Sequence, residues 1–147
     1  MKSKQPDIRG DLFGMKWKTR IGFWNVRTLR EYGKIKEVEK EMTGYKLDIM
    51  GLNEIRWKEN GDIKTQNGNI QTFSGAGEDI QHKSGVGILM NKEARRSLME
   101  WSPILDRIIS PHFKTKTCNL ITIQCYAQQK QQTRIWKKNS TSNCMKQ

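Results

Sequence analysis

Short apolar segments alternate with polar stretches along this chain, and their spacing predicts its elements. Ile21 to Val26 reads as a buried strand. From Glu31 to Thr43 the apolar positions Ile35, Val38 and Met42 fall on one helical stripe among alternating Lys and Glu, and Gly44 is placed to end that helix. Ile49 to Leu52 predicts the next strand. Strand, helix, strand in that order implies a parallel pair joined by a crossover. Asn-Gly occurs at 60–61 and again at 67–68, a hairpin signal within Glu59 to Asn69. Ile70 to Ser74 predicts a strand, Gly75 to Lys83 a polar loop, Val86 to Met90 a strand and Asn91 to Met99 a helical turn. Ile104 to Ile109 and Asn119 to Tyr126 predict two further strands. In the last, Leu120, Ile121, Ile123 and Tyr126 depart from strict alternation, as burial on both faces requires.

These segments lie in residues 19–127. Residues 1–18 are polar and basic, and are expected to form a flexible arm. Residues 128–147 are polar and basic with no acidic residue, and are expected to be a disordered tail. The chain has 147 residues, with 27 Lys and Arg against 15 Asp and Glu, a net charge of +12. Such an excess is a footprint for polyanions, nucleic acid first among them; a basic tail without a target is the plainer alternative. No apolar run approaches the roughly 20 residues of a membrane span. The start has no apolar stretch of the secretory kind. Three cysteines form no CxxC pair and leave an odd count, which suggests a reducing compartment. His82 and His112 lack zinc-type spacing. The expectation is an intracellular protein, nuclear or cytoplasmic, neither secreted nor membrane-bound.

Two apolar runs each deliver an oxygen-bearing side chain near the C-terminal end. Arg20 to Arg30 carries Asn25, and Asp48 to Trp57 carries Glu54. Side by side in a sheet, they meet at one rim. An amide oxygen and a carboxylate there are ligands that a hard cation such as Mg²⁺ accepts. Alone, Glu54 is equally an ordinary solvated carboxylate, and Asn25 a strand-end residue capping its own turn.

The motifs Trp24-Asn25-Val26-Arg27-Thr28-Leu29, Gly51-Leu52-Asn53-Glu54-Ile55-Arg56-Trp57, Ser84-Gly85-Val86-Gly87-Ile88-Leu89 and Cys125-Tyr126-Ala127, in that order, resemble the endonuclease/exonuclease/phosphatase superfamily. The nearest resemblance is to the endonuclease domain of non-LTR retrotransposon polyproteins and the craniofacial development protein-like sequences related to them. It covers Arg20 to Ala127. It implies an α/β fold, the N-terminal portion of a four-layer α/β/β/α sandwich, here incomplete. It also implies Mg²⁺ (or Mn²⁺) as cofactor and DNA as partner.

By the same resemblance Glu54 is the metal-ligand glutamate, and Asn25 helps position the metal. Tyr126 hydrogen-bonds the scissile phosphate, with a buried strand-end aromatic as the alternative. Arg107 reaches a substrate phosphate, with an ion-pair partner of Asp106 or Asp48 as the alternative. Arg27 stands where abasic-site enzymes of the superfamily carry an acid, which argues against simple abasic-site repair. Arg27 and Trp57 are possible DNA contacts. Gly85 and Gly87 lack the spacing of a phosphate loop and fit close backbone approach within a sheet.

The family's Gly-Asp-Phe-Asn base segment and its Ser-Asp-His segment do not occur, and Ala127 is followed by Gln128 where the family has proline. The glutamine-rich tail at that point suggests an altered reading frame or splice variant. An incomplete sandwich would expose one sheet face as an apolar patch and invite self-association. The functional expectation is an impaired or inactive metal-dependent endonuclease-like domain. A non-catalytic nucleic-acid-binding relic, or an inositol-phosphate or lipid phosphatase of the same superfamily, are the alternatives.

Overall fold

The computed structural model describes residues 18–75, 77, 84–116 and 118–127. It is a mixed α/β structure with two sheets. The first comprises β1 (Ile21–Asn25), β2 (Ile49–Asn53), β3 (Gly61–Lys64), β4 (Ile70–Ser74) and β5 (Val86–Met90), in the order β1-β2-β5-β4-β3. β1 and β2 are parallel, joined through helix α1 (Lys34–Gly44), as the strand–helix–strand pattern predicts. The remaining neighbours are antiparallel. After the short helix α2 (Lys92–Ser97), whose first turn is capped by the Asn91 side chain on the Ala94 N–H, the second sheet begins. It contains β6 (Leu98–Leu105), β7 (Ile108–Lys114), β8 (Asn119–Ile121) and β9 (Gln124–Cys125). β8 and β9 both pair with β7.

Strand alternation sorts the apolar side chains into two cores. Ile49, Val86, Ile88 and Met90 face Ile109 and Phe113 of the second sheet. Met50, Leu52 and Leu89, on the opposite face, pack under Val38 and Met42 of α1. The order of layers is therefore helix, sheet, sheet. The β3–β4 hairpin turns at Asn67-Gly68, the second of the two Asn-Gly signals, with Gly68 at φ 82. Asn60 instead accepts a hydrogen bond from the Gly75 N–H. The buried Glu39 of α1 ties that hairpin down by accepting from Thr65 Oγ1, Asn67 Nδ2 and Asn69 Nδ2.

Several expectations are corrected. Ile104 to Ile109 is not one strand: Leu105 pairs with Ile108, and Asp106-Arg107 is the tight turn between β6 and β7. Neither turn residue has a positive φ, so no glycine or asparagine marks the reversal. Asn119 to Tyr126 keeps one register along β7, but the ladder lapses at Thr122-Ile123: Thr122 N–H still bonds the Pro111 carbonyl, whereas Pro111 has no N–H to return, and the Thr122 carbonyl accepts from Ser110 Oγ instead. Nor is this segment buried on both faces, since Ile121 and Ile123 are 61% and 62% exposed. Gly44 is the last residue of α1 but not its left-handed terminator. Lys46, at φ 53, holds that position while Leu47 N–H returns to the Met42 carbonyl and Lys46 N–H to that of Thr43. The arm apart from Lys18, most of the loop after Gly75, and the tail lie outside the described residues.

β1 is an edge strand, and the second sheet does not reach across it. Phe23, on the same face as Ile49, is consequently 70% exposed, and no residue of Ile21–Asn25 is buried, contrary to the buried strand expected there. An apolar cavity of about 130 Å³ opens there between Ile21, Phe23, Ile88 and Ile123. The expected bare sheet face is therefore found only at β1, because the β2 and β5 side chains of that face are buried against the second sheet.

Candidate active site

The rims of the two sheets meet where β1 and β2 end, β5 begins, β6 turns into β7 and β9 stops. Asn25 and Asn53 are register partners at the ends of β1 and β2 and share one face. The chain then leaves β2 with Glu54 at φ 57 and Arg56 at φ 60, and leaves β1 with Arg27 at φ 60. Left-handed conformations are unfavourable for such residues and persist only where the surroundings over-determine them. Here they do. Ile55 N–H bonds Gly85 O, Arg56 N–H bonds Ser84 O, Leu29 N–H bonds Ile55 O and Val26 N–H bonds Asn53 O. Gly85, at φ 105, allows this approach: a Cβ there would lie 2.9 Å from Ile55 Cγ1. The motif glycine thus serves backbone proximity, as its spacing suggests.

This twisted exit aims the Glu54 carboxylate across the rim. Its Oε1 accepts from Tyr126 OH at 2.5 Å and from Asn25 Nδ2 at 2.9 Å. Its Oε2 faces the Arg56 guanidinium at 3.5 Å. The Glu54 carboxyl is held below the usual carboxylate range, first by the Tyr126 hydroxyl, against which burial acts, then by Asn25 and Arg56. The Tyr126 phenol is pushed up, chiefly by donating to Glu54 and then by burial, with the charge of Arg107 pulling it back. Asn25 Oδ1 accepts from the Arg27 N–H, so its amide bridges the turn after β1 to the carboxylate.

Arg107 sits at the β6–β7 turn rather than within a strand. Its Nε is 3.7 Å from Asp106 Oδ2, and its carbonyl accepts from the Tyr126 N–H. Asp48 is not its partner, being occupied by Arg20 N–H and Asn91 Nδ2 at the far end of β2. The turn is fastened to the rim by Gly85 N–H on Asp106 O and by Ser84 Oγ on Asp106 Oδ2. Arg27 is exposed at the rim. The Trp57 ring packs edge-on to Phe73 at 4.6 Å and lies against the helix-side core, so its face serves the fold first.

Three participants carry no sequence signal of their own. Arg56 supplies the positive charge on Glu54. Arg30 Nε donates to the Arg56 carbonyl at 2.6 Å. Gln124 Nε2 donates to Asn53 Oδ1 at 2.9 Å, latching β9 to β2 beneath the site.

The donor set suits a hard cation. The oxygen offered is that of the partly exposed Glu54 carboxylate, since Asn25 turns its Nδ2 to Glu54 and its Oδ1 to the Arg27 N–H; Mg²⁺ commonly takes one or two protein oxygens and fills its shell with water. Among the described residues no group of three or more His, Cys, Asp and Glu could hold a metal. A single carboxylate at a strand rim is compatible only with a cation that keeps most of its shell as water.

No family model matches the chain. Over 107 residues, 73% of its length, it is 34% identical to craniofacial development protein 2 of Bos taurus. This chain is similar to craniofacial development protein 2. The same-named protein of Tragulus javanicus is 32% identical, again over 107 residues. The chain spans only 17% and 18% of the lengths of these curated relatives.

Proposed function

We propose that this chain carries the metal- and phosphate-holding part of an endonuclease/exonuclease/phosphatase-type site for DNA, of the retrotransposon endonuclease kind. We further propose that alone it hydrolyses phosphodiesters feebly or not at all. One observation carries the reading: Asn25 and Tyr126 converge on one oxygen of Glu54, leaving the other toward a guanidinium at the open rim. In this reading Glu54 holds Mg²⁺ or Mn²⁺ and Asn25 positions both the carboxylate and the cation. When bound, the cation would neutralise charge that builds up at phosphorus. Arg107 offers hydrogen-bond donors to the phosphate and the exposed Arg27 offers charge to the neighbouring backbone, whereas Tyr126 would donate to the phosphate only by giving up its single O–H bond to Glu54 Oε1.

The net charge of +12 favours a polyanion over a small phosphate ester. The absence from this sequence of Gly-Asp-Phe-Asn and Ser-Asp-His segments supports weak or absent turnover, because a positioned base and a charge-stabilising group each contribute orders of magnitude.

The test is nicking of supercoiled plasmid with Mg²⁺, with EDTA and with Glu54→Ala. Trace or no nicking, together with salt-sensitive plasmid binding, is the expected result. Robust nicking that needs both Mg²⁺ and Glu54 would show that the missing segments are dispensable. Failure to bind DNA at low salt would remove DNA as the partner.

A further inference from the structure

We propose that Arg56 is the resident counter-ion of Glu54, and that a divalent cation displaces it there and turns it toward a DNA phosphate. The inference rests on the proposed metal role of Glu54 and adds a coupling between metal and substrate.

The backbone of Arg56 is pinned on both sides, its N–H on Ser84 O and its carbonyl under Arg30 Nε. Only the side chain has freedom to move, and it is 36% exposed where Glu54 is 17% exposed. The guanidinium lies 3.5 Å from Oε2. That is longer than the roughly 2.7–2.9 Å of a strong charge-assisted hydrogen bond, so the attraction is mostly between charges and is cheaply broken. Nε is buried with no hydrogen-bond partner among the described residues. The planar fork is thus only half used on a carboxylate whose other oxygen belongs to Tyr126 and Asn25. A phosphate presents two oxygens to such a fork, and a guanidinium matches them in a way an ammonium does not.

A divalent cation on Oε2 would repel a positive group so close. Its arrival therefore frees Arg56 at the moment the rim requires a second positive charge for substrate. Arg30, by holding the Arg56 carbonyl, keeps the released side chain at the rim.

The experiment measures Mn²⁺ binding by electron paramagnetic resonance, and binding of a short DNA duplex by fluorescence anisotropy in EDTA and in Ca²⁺. The proteins are the wild-type chain, Arg56→Gln, Arg56→Lys and Glu54→Gln, each checked for a cooperative melt. Arg56→Gln is expected to bind Mn²⁺ about two- to five-fold more tightly, the range set by losing a partly exposed counter-ion. The same variant should bind duplex about ten-fold more weakly in Ca²⁺, with a much smaller loss in EDTA. Arg56→Lys should keep wild-type Mn²⁺ affinity, since the charge remains, yet share the duplex loss in Ca²⁺.

If Arg56→Gln binds Mn²⁺ no more tightly while Glu54→Gln abolishes binding, the counter-ion role is overturned and the metal reading stands. Equal duplex losses in EDTA and Ca²⁺ would overturn the coupling. A wild-type chain with no Mn²⁺ binding beyond that of Glu54→Gln would overturn both.

Discussion

Tyr126 and Glu54, separated by 72 positions, share a 2.5 Å hydrogen bond that joins the last strand of one sheet to the exit of a central strand in the other. The carboxylate and the phenol shift in opposite directions because of the same contact. The bond is therefore strongest in the window where Glu54 is ionised and Tyr126 is not.

Tyr126→Phe tests this window. Loss of the hydroxyl is expected to cost about 1–2 kcal/mol near neutral pH, as for a hydrogen bond to a charged group. Because the carboxyl is depressed in the folded state, its stabilisation is complete above the unfolded value, about 4.3. It disappears as pH falls through the lower folded value. The phenol is raised, so its share is present below its unfolded value, about 10, and is lost as pH rises through the folded one. Thermal melts from pH 3 to pH 11, with Tyr126→Phe beside wild type, should show the two stability curves converging at both extremes. Parallel curves throughout would refute the coupling.

Glu39→Ala should loosen the β3–β4 hairpin. This buried carboxylate takes hydrogen bonds from Thr65, Asn67 and Asn69, and removing it takes the acceptor from the half-buried Thr65 and Asn69, while the exposed Asn67 turns to water. A loss of about 1–2 kcal/mol is expected. Hydrogen exchange should accelerate most between Gly61 and Ser74. Protection unchanged there would show that the hairpin holds by its ladder alone.

Gln71→Met is expected to stabilise the protein. Gln71 is wholly buried, and neither amide atom has a hydrogen-bond partner among the described residues. An unsatisfied buried amide costs about 1–3 kcal/mol, and a thioether of similar length fills the space without that penalty. A gain of about 1–2 kcal/mol in urea unfolding is the predicted result. A loss would indicate that water serves the amide in solution.

Lys46→Gly addresses the end of α1. A left-handed lysine costs about 1–2 kcal/mol, and part of what glycine relieves is returned as unfolded-state entropy. The expected net stabilisation is about 0.5–1 kcal/mol, read as a raised denaturant midpoint with an unchanged slope.

The elements that the sequence predicts best are those whose cause is local. β1, α1 and β2 follow from apolar spacing within each segment, and their parallel pairing follows from the crossover between them. The bounds of β4 and β5 match because their flanks carry turn residues. The turn at Asp106-Arg107 was hidden because neither residue needs a special backbone region, so Ile104 to Ile109 read as one apolar run. The lapse at Thr122 was hidden because its cause lies on β7, where Pro111 has no N–H to complete the pair, and not in a neighbouring residue of its own segment.

In the site, Asn25 and Glu54 were legible together, since two strand ends of known order imply a common rim. Sequence alone therefore determined the parallel β1–β2 pair at one side of the first sheet, the charge, and the pair of oxygens at its rim. Only the tertiary structure decided that Tyr126 closes on Glu54, that Arg107 sits in a turn, and that Arg56 answers the carboxylate. Those outcomes depend on left-handed exits from two strands and on latches such as Gln124 to Asn53. Such conformations are costly to each residue alone, and are made favourable only by the many long-range bonds that form at once when the two sheets meet.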